Sequence, residues 1–116
     1  MGKSFVCLML CIYNAGMKII ASLKIRTKLA NKNPPVNIGE VRECFATRDR
    51  EFLIDDRENN RTIPPTMWFI SDTFMGRKLK IAFIQDTDGT LHIKTAYDPN
   101  AQECWIYTTH AREIES

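Results

Sequence analysis

The tripeptide Thr87-Asp88-Gly89, which joins two alternating segments, constrains the fold of this chain more than any other feature. A three-residue connection that ends in Gly suits a β-hairpin loop in which the glycine takes the left-handed conformation of a bulge. The flanking segments, residues 78–85 and 90–97, are rich in Ile, Phe, Thr and Tyr, which favour a pleated surface. The sequence therefore predicts an antiparallel hairpin whose register is set by Gly89.

This register predicts one apolar and one polar face for the hairpin. The expected pairs are Phe83 with Ile93, Ile81 with Thr95, and Leu79 with Tyr97. The opposite face then displays four cationic or titratable side chains, those of Lys78, Lys80, His92 and Lys94. A slip of one residue would bury two or three lysines, so the pattern favours this alignment.

The remaining periodicity predicts a small α+β fold. A strand at residues 66–73 would extend the hairpin into a meander, and residues 18–21 and 51–55 have the composition of shorter strands. Helices are predicted at residues 23–32, 38–46 and 99–110, with Asn37 and Glu40 as a capping box for the second and Asp98 as the cap of the third. We expect an antiparallel meander sheet of three to four strands with the helices packed on one face.

The length of 116 residues fits one domain, predicted over residues 17–116. Met17 opens the run MKIIASLKIRTKLANK, which reads as a natural beginning, so residues 1–16 are expected to be an N-terminal extension from an over-extended start. The apolar run at residues 5–13 is too short to span a bilayer, and no membrane is predicted as a partner. A signal peptide would share this composition, although no small-x-small cleavage site follows.

Charge and cysteine content narrow the function classes. The net charge of +2 is too balanced for the whole surface to attract a polyanion, so any nucleic-acid contact needs a local patch. The four cysteines form no CxxC pair, which predicts reduced thiols in the cytoplasm and no metal site. Cys44, Cys104, Trp68 and Trp105 are expected to pack in the core. No motif for a phosphate loop or a catalytic zinc is present, and no cofactor is predicted.

Three groups of residues are candidates for chemistry. The polar hairpin face, extended by Arg77, could hold a phosphodiester, with His92 transferring protons; alternatively its lysines only solvate the face. The charged loop that begins at Asp55 could supply a catalytic acid or base or a partner contact, or its charges could pair with one another. The basic first helix, with Arg26, Lys28 and Lys32, could follow a nucleic-acid backbone or could be a simple exposed helix.

Two stretches resemble BrnT-like bacterial toxins. The segment KLANKNPPVNIGEVRECF has their basic helix, turn and short acidic helix ending in Phe. The segment GRKLKIAFIQDTDGTLHIKTAYDPNAQECWIY resembles their closing hairpin and its passage into a helix. The layout is also similar to small bacterial proteins labelled ADP-ribosyl-(dinitrogen reductase) hydrolase. Together the two stretches cover most of residues 22–107, with Tyr97 and Asp98 in place of an Arg-rich strand exit and Asn33 and two prolines in place of a Lys-His-Gly turn.

The resemblance implies a RelE-like fold, metal-independent RNA cleavage and control by a cognate antitoxin. By position, Lys28 and Lys32 match the basic helix of the family, and Arg77, Lys80 and Lys94 match its basic hairpin. The resulting hypothesis is an endoribonuclease in which His92, Lys80 and Arg77 are catalytic, while Lys28, Lys32, Lys78 and Lys94 bind RNA. The alternative is a non-catalytic protein that binds a protein partner through the exposed sheet face.

Overall fold

The computed structural model describes residues 18–57 and 63–114. The predicted N-terminal extension at residues 1–16 and the middle of the charged loop lie outside the described residues. The strands are β1 Ile19–Ile20, β2 Leu53–Ile54, β3 Thr66–Asp72, β4 Lys78–Gln85 and β5 Leu91–Tyr97. The helices are α1 Leu23–Ala30, α2 Ile38–Thr47 and α3 Ala101–His110. The α+β prediction is confirmed.

The sheet has five strands in the order β1-β5-β4-β3-β2. Strands β2 to β5 are antiparallel neighbours, as predicted, but β1 pairs with β5 in parallel. The prediction of a purely antiparallel sheet of three to four strands is therefore wrong. A parallel pair needs a long connection, and the helical segment that follows β1 begins this connection.

The β4–β5 hairpin has the predicted loop and a register that changes partway. Gly89 has a φ of +89°, and its N–H donates to the Asp86 carbonyl at 3.0 Å. Phe83 pairs with Ile93 as predicted, but Ile81 faces Ala96 and Lys80 faces Tyr97. The predicted pairs Ile81–Thr95 and Leu79–Tyr97 are wrong, because a bulge between these regions leaves one residue, Lys94, without a cross-strand partner in the ladder. The bulge lets the fully buried Ala96 point to the same face as Ile93.

Aromatic packing joins α2 to one face of the sheet. The ring of Phe45 lies 4.7 Å from that of Phe69 and 5.3 Å from that of Phe83, measured between centroids. The capping box between Asn37 and Glu40 is formed as predicted, with the Glu40 N–H donating to Asn37 Oδ1 at 2.8 Å. Burial of each of the three phenylalanine side chains contributes about 1.5–3 kcal/mol to the stability of the fold.

Helix α3 packs on the opposite face of the sheet, where Tyr107 contacts Trp68 with ring centroids 5.6 Å apart. The prediction that all helices lie on one face is wrong, because Trp68 and Ile70 make this second face apolar as well and it needs a cover. The N-cap of α3 is Asn100, not Asp98. Among the described residues, no helix has both the length and the apolar character required to cross a bilayer.

Candidate functional site

A pocket of about 500 Å³ lies where β2, the sheet face and α3 meet, and we refer to it as the Lys80 pocket. Acidic, basic and aromatic groups share its wall. The lining residues are Leu53, Ile54, Asp55, Asp56, Arg57, Trp68, Lys80, Glu103, Ile106 and His110. The pocket therefore combines charged groups with an apolar floor, which is the usual composition of a binding site for a small polar group.

Lys80 reaches the pocket from the middle of the sheet. Its Nζ donates to Glu103 Oε2 at 2.9 Å, and the two side chains are only 10% and 19% exposed. The same nitrogen lies 4.5 Å from the ring centroid of Trp68 and 5.7 Å from that of Tyr97. An ammonium group with so little water around it is stabilised by the carboxylate and by the negative faces of the two rings.

Glu103 links the pocket to the start of α3. Its Oε1 accepts from the Asn100 N–H at 3.0 Å, while Oε2 accepts from the Tyr97 hydroxyl at 2.6 Å as well as from Lys80. Burial would raise the pKa of Glu103, but the hydrogen bonds from Tyr97 and Lys80 outweigh it and hold the pKa below its usual value. Burial, together with the bond to Glu103, raises the pKa of Tyr97. Glu103 is thus a fixed anion that orients two neighbours.

A second ion pair stands at the mouth of the pocket. Asp55 is buried and accepts from Arg57 at 3.0 Å on Oδ1 and at 2.8 Å on Oδ2. The Arg57 hydrogen bond lowers the pKa of Asp55. Arg57 remains 66% exposed, so its guanidinium is anchored on one edge and accessible from solvent. Such a forked cation matches the geometry of a phosphate group.

His110 completes the lining from the last turn of α3. It follows Glu103 by seven residues, which places both on the same side of the helix about two turns apart. The imidazole is exposed, and its ring meets that of Trp105 edge-on at 6.4 Å between centroids. Trp105 is 63% exposed, so the prediction that it packs in the core is wrong. Its position on α3 turns it away from the sheet.

The predicted site residues of the hairpin share a face but do not form one cluster. Lys78 pairs with Asp72 at 3.0 Å, and His92 lies 3.4 Å from Asp86. Lys94 Nζ donates to the hydroxyl of Thr66 at 3.3 Å. His92 faces Ile84, four residues along β4 from Lys80, which corresponds to about 13 Å. Of these predicted residues, only Lys80 lines the pocket, and it is buried under α3 instead of displayed on an open face.

Arg77 lies outside the pocket and joins three segments of the fold. Its guanidinium donates to Asp98 at 2.7 Å, to Glu40 at 3.1 Å, and to the carbonyls of Pro34 and Pro35 at 3.0 and 2.6 Å. The two carboxylates and two carbonyls occupy the fork of the side chain. This arrangement is that of a structural clamp, and Arg77 does not line the Lys80 pocket.

The residues predicted to bind RNA from the first helix lie beside β5. Lys28 is in the last turn of α1. The helix ends at Ala30, so Lys32 lies in the turn that follows and not in the helix as predicted. Its Nζ is 5.2 Å from the ring centroid of Tyr97. Tyr97 therefore has Lys32 on its ring and Glu103 on its hydroxyl.

Sequence reasoning missed several side chains of the Lys80 pocket. Glu103 and Asn100 have capping-box spacing, which was a signal for the start of α3 but not for a site. Arg57 belongs to the charged loop that the sequence identified as a candidate. No local pattern indicated His110, whose place depends on where α3 packs. Tyr97 was predicted on the opposite, apolar face, because the alternation does not reveal the bulge that pairs it with Lys80.

Comparisons with known proteins add no identification: no family model matches the chain, and neither a curated protein nor a solved structure matches it. The likeness to BrnT-like toxins thus depends on the two sequence stretches alone. The geometry of the Lys80 pocket is the main basis for a functional proposal.

Proposed function

We propose that this protein is a toxin-like endoribonuclease of a bacterial toxin–antitoxin system that cleaves RNA without a metal ion, and that the Lys80 pocket is its active site. The observation that carries the proposal is the Lys80 ammonium, whose side chain is only 10% exposed and which lies 2.9 Å from Glu103 Oε2, in a pocket that Arg57 and His110 also line. A positive charge fixed in surroundings of low polarity stabilises developing negative charge more strongly than a solvated one.

The residues of the pocket match the parts of a transesterification. The 2′-hydroxyl of the RNA attacks the adjacent phosphorus while His110 takes its proton. The bond from phosphorus to the 5′ oxygen breaks, and Lys80 gives a proton to that leaving oxygen. Arg57 pairs with the non-bridging oxygens, where charge accumulates in the transition state. The products are a 2′,3′-cyclic phosphate and a free 5′-hydroxyl.

Glu103 and Tyr97 act as positioning residues in this scheme. The carboxylate of Glu103 directs one donor of Lys80, which leaves the other protons of the ammonium available to the pocket. Tyr97 fixes the same carboxylate oxygen at 2.6 Å. Asp55 and Glu103 each have a cationic partner, Arg57 and Lys80 respectively, so both cations are held in fixed positions.

The assignment changes the roles given to two hairpin residues. His92 lies near the start of β5, four residues along the sheet from Lys80, and Arg77 is engaged by Asp98 and Glu40. Neither is part of the proposed active site. The alternative function is binding of a protein partner through this sheet face, whose central strands are packed against α3.

Cleavage of a fluorescent single-stranded RNA in the presence of EDTA tests the proposal. We expect Lys80→Met and His110→Ala each to lower kcat/KM about 10²–10⁴-fold, the range typical of a lost general acid or base. Near-ultraviolet circular dichroism checks that each variant keeps its fold. Lys80→Arg is a further variant, which keeps the cation at this position. His92→Ala is a matched control from the same sheet face, and its activity should stay within a factor of about three of the parent activity.

The chemistry of the products separates this proposal from a contaminating nuclease. RNA fragments should end in 2′,3′-cyclic phosphates, and a strand with a 2′-deoxy sugar at the cleaved position should stay intact. RNA cleavage that survives in Lys80→Met and His110→Ala, or cleavage of the deoxy strand, would contradict the assignment of the Lys80 pocket as the active site.

Antitoxin control is tested in cells. Expression of the chain should arrest growth, and expression of Lys80→Met at the same level should not. Co-expression of a small adjacent reading frame should restore growth if its product is the cognate antitoxin. Growth arrest that is equal for both versions would show that toxicity does not come from the proposed chemistry.

A further inference from the structure

One segment of the chain is basic throughout and carries no acidic residue. Residues 18–39 contain five basic residues and no Asp or Glu; they are Lys18, Lys24, Arg26, Lys28 and Lys32. This segment therefore carries a charge of +5, whereas the whole chain carries +2, so the rest of the chain sums to +2 − 5 = −3. A balanced total conceals a basic region of the kind that attracts polyanions.

Three of these lysines form a row. Lys24, Lys28 and Lys32 are spaced by four residues, so the first two lie one above the other on α1. Lys32 continues the spacing in the turn that closes the helix, where its N–H donates to the Leu29 carbonyl at 3.2 Å. Lys24 and Lys28 are exposed, and neither forms an ion pair within the described parts of the chain.

The apolar side of α1 fixes the direction of this row. Leu29 is fully buried and Ile25 packs against the same core, so the side of the helix that carries them faces the sheet. Lys24 and Lys28 flank that side, and Arg26 lies on the opposite flank of the helix by its position in the turn. One flank of α1 therefore carries the positive charges of Lys24 and Lys28, and the other flank carries that of Arg26.

A chain of contacts connects the lysine row to the Lys80 pocket. Lys32 Nζ lies 5.2 Å from the ring of Tyr97, whose hydroxyl donates to Glu103 at 2.6 Å. Glu103 in turn holds Lys80 at 2.9 Å. The last lysine of the row is therefore two side chains away from the proposed active site.

We infer that the row of Lys24, Lys28 and Lys32 is a phosphate-binding track that leads a single strand of RNA to the Lys80 pocket. This inference deepens the proposed function and rests on it for the identity of the strand. Lysines at this spacing contact phosphates and position the strand without reading bases. The substrate is then an RNA that occupies on the order of four to eight nucleotides, and a dinucleotide is too short to reach the track.

Two variants of the same helix provide a matched comparison. Lys28→Gln removes a charge from the row, and Arg26→Gln removes a charge from the opposite flank. Binding of a fluorescent 12-nucleotide 2′-deoxy strand, which cannot be cleaved, is measured by anisotropy across a range of salt concentrations. We expect the slope of log K against log salt to fall in magnitude by about 0.7 for Lys28→Gln and by about 1.4 for Lys24→Gln/Lys28→Gln, with little change for Arg26→Gln.

Cleavage gives an independent readout of the track. The double variant should lower kcat/KM several-fold for a 12-nucleotide RNA and leave a dinucleotide substrate unaffected, because only the long strand reaches the row. Equal effects of Lys28→Gln and Arg26→Gln would overturn the track, as would binding of the chain to anionic lipid vesicles but not to the strand. Row-dependent binding without any cleavage would support the track and refute the proposed catalysis, so the two failures are distinguishable.

Discussion

The ammonium nitrogen of Lys80 on β4 lies 2.9 Å from Oε2 of Glu103 on α3. The other carboxylate oxygen of Glu103 caps the first turn of that helix by accepting from the Asn100 N–H at 3.0 Å. One side chain therefore determines both where α3 begins and how Lys80 is oriented in the pocket. Because the same contact supports the fold and the proposed chemistry, stability and activity must be measured on the same variants.

Loss of the lysine should cost more stability than loss of the pair. Lys80→Met leaves the Glu103 carboxylate in a desolvated position without its cation, and we expect the free energy of unfolding to fall by about 2–3 kcal/mol. Lys80→Met/Glu103→Gln removes the uncompensated charge and should recover at least half of that loss. Urea denaturation of both variants and the parent measures the difference.

The double variant is the informative arm of this experiment, since Gln at position 103 can still cap α3 through its amide oxygen. A Lys80→Met variant that is as stable as the parent would show that the pair contributes nothing. If the loss of unfolding free energy in the double variant equals the sum of the losses in Lys80→Met and Glu103→Gln, the two residues are not energetically coupled.

Acid should weaken the contribution of Glu103 to stability. Its pKa lies below the usual value of 4.5, so the folded state favours the ionised form more than the unfolded state does. That contribution is complete above about pH 4.5 and is lost as the pH falls through the lower folded-state pKa. The gap in unfolding free energy between the parent and Glu103→Gln should therefore narrow as the pH falls below about 4.5, as measured by urea titration at each pH. A gap that is constant from pH 7 to pH 3 would contradict the assignment.

Arg77 should matter for stability and not for chemistry. Its guanidinium donates hydrogen bonds to the carboxylates of Asp98 and Glu40 and to two proline carbonyls, and the side chain is only 20% exposed. Arg77→Lys cannot reach all of these acceptors, and we expect a loss of about 1–3 kcal/mol in unfolding free energy. Thermal and urea denaturation check this value.

The neighbouring Lys78 provides the control for Arg77. Its ion pair with Asp72 joins two half-exposed side chains, and Lys78→Gln should change the unfolding free energy by at most about 0.5 kcal/mol. RNA cleavage by folded Arg77→Lys should match that of the parent. A specific loss of activity with unchanged stability would return Arg77 to the catalytic role that the hairpin pattern predicted.

Local signals predicted the parts of the fold that local chemistry determines. The box between Asn37 and Glu40 and the loop that ends in Gly89 each form within a few residues, and both were predictable. The parallel pairing of β1 with β5 depends on segments far apart in the chain, and the bulge at Lys94 interrupts the alternation inside the β4–β5 hairpin. Alternation assigned Leu79 opposite Tyr97, since an unbroken period of two cannot reveal a single inserted residue.

The candidate site was predictable only through Lys80 and the charged loop. Lys80 is flanked by apolar neighbours in the alternating pattern, so its face was identified correctly, but its burial depends on the packing of α3. The helix was expected on the same side of the sheet as the other helices, because a sheet with a single apolar face needs only one cover. Glu103, Tyr97 and His110 came together only once the helix was placed.

Substitution of Gly89 tests directly whether the β4–β5 loop requires a left-handed backbone conformation at this position. Its φ is +89°, and a Cβ added there would meet nothing within 4 Å, so the cost of a side chain is conformational and not steric. Gly89→Ala should lower the unfolding free energy by about 1–2 kcal/mol, and Gly89→Asn by less, because Asn tolerates the left-handed region. Thr87→Ala, at an exposed position of the same loop, should stay within about 0.5 kcal/mol of the parent. Urea denaturation of the three variants ranks them, and an Ala variant as stable as the parent would mean that the loop adopts another conformation in solution.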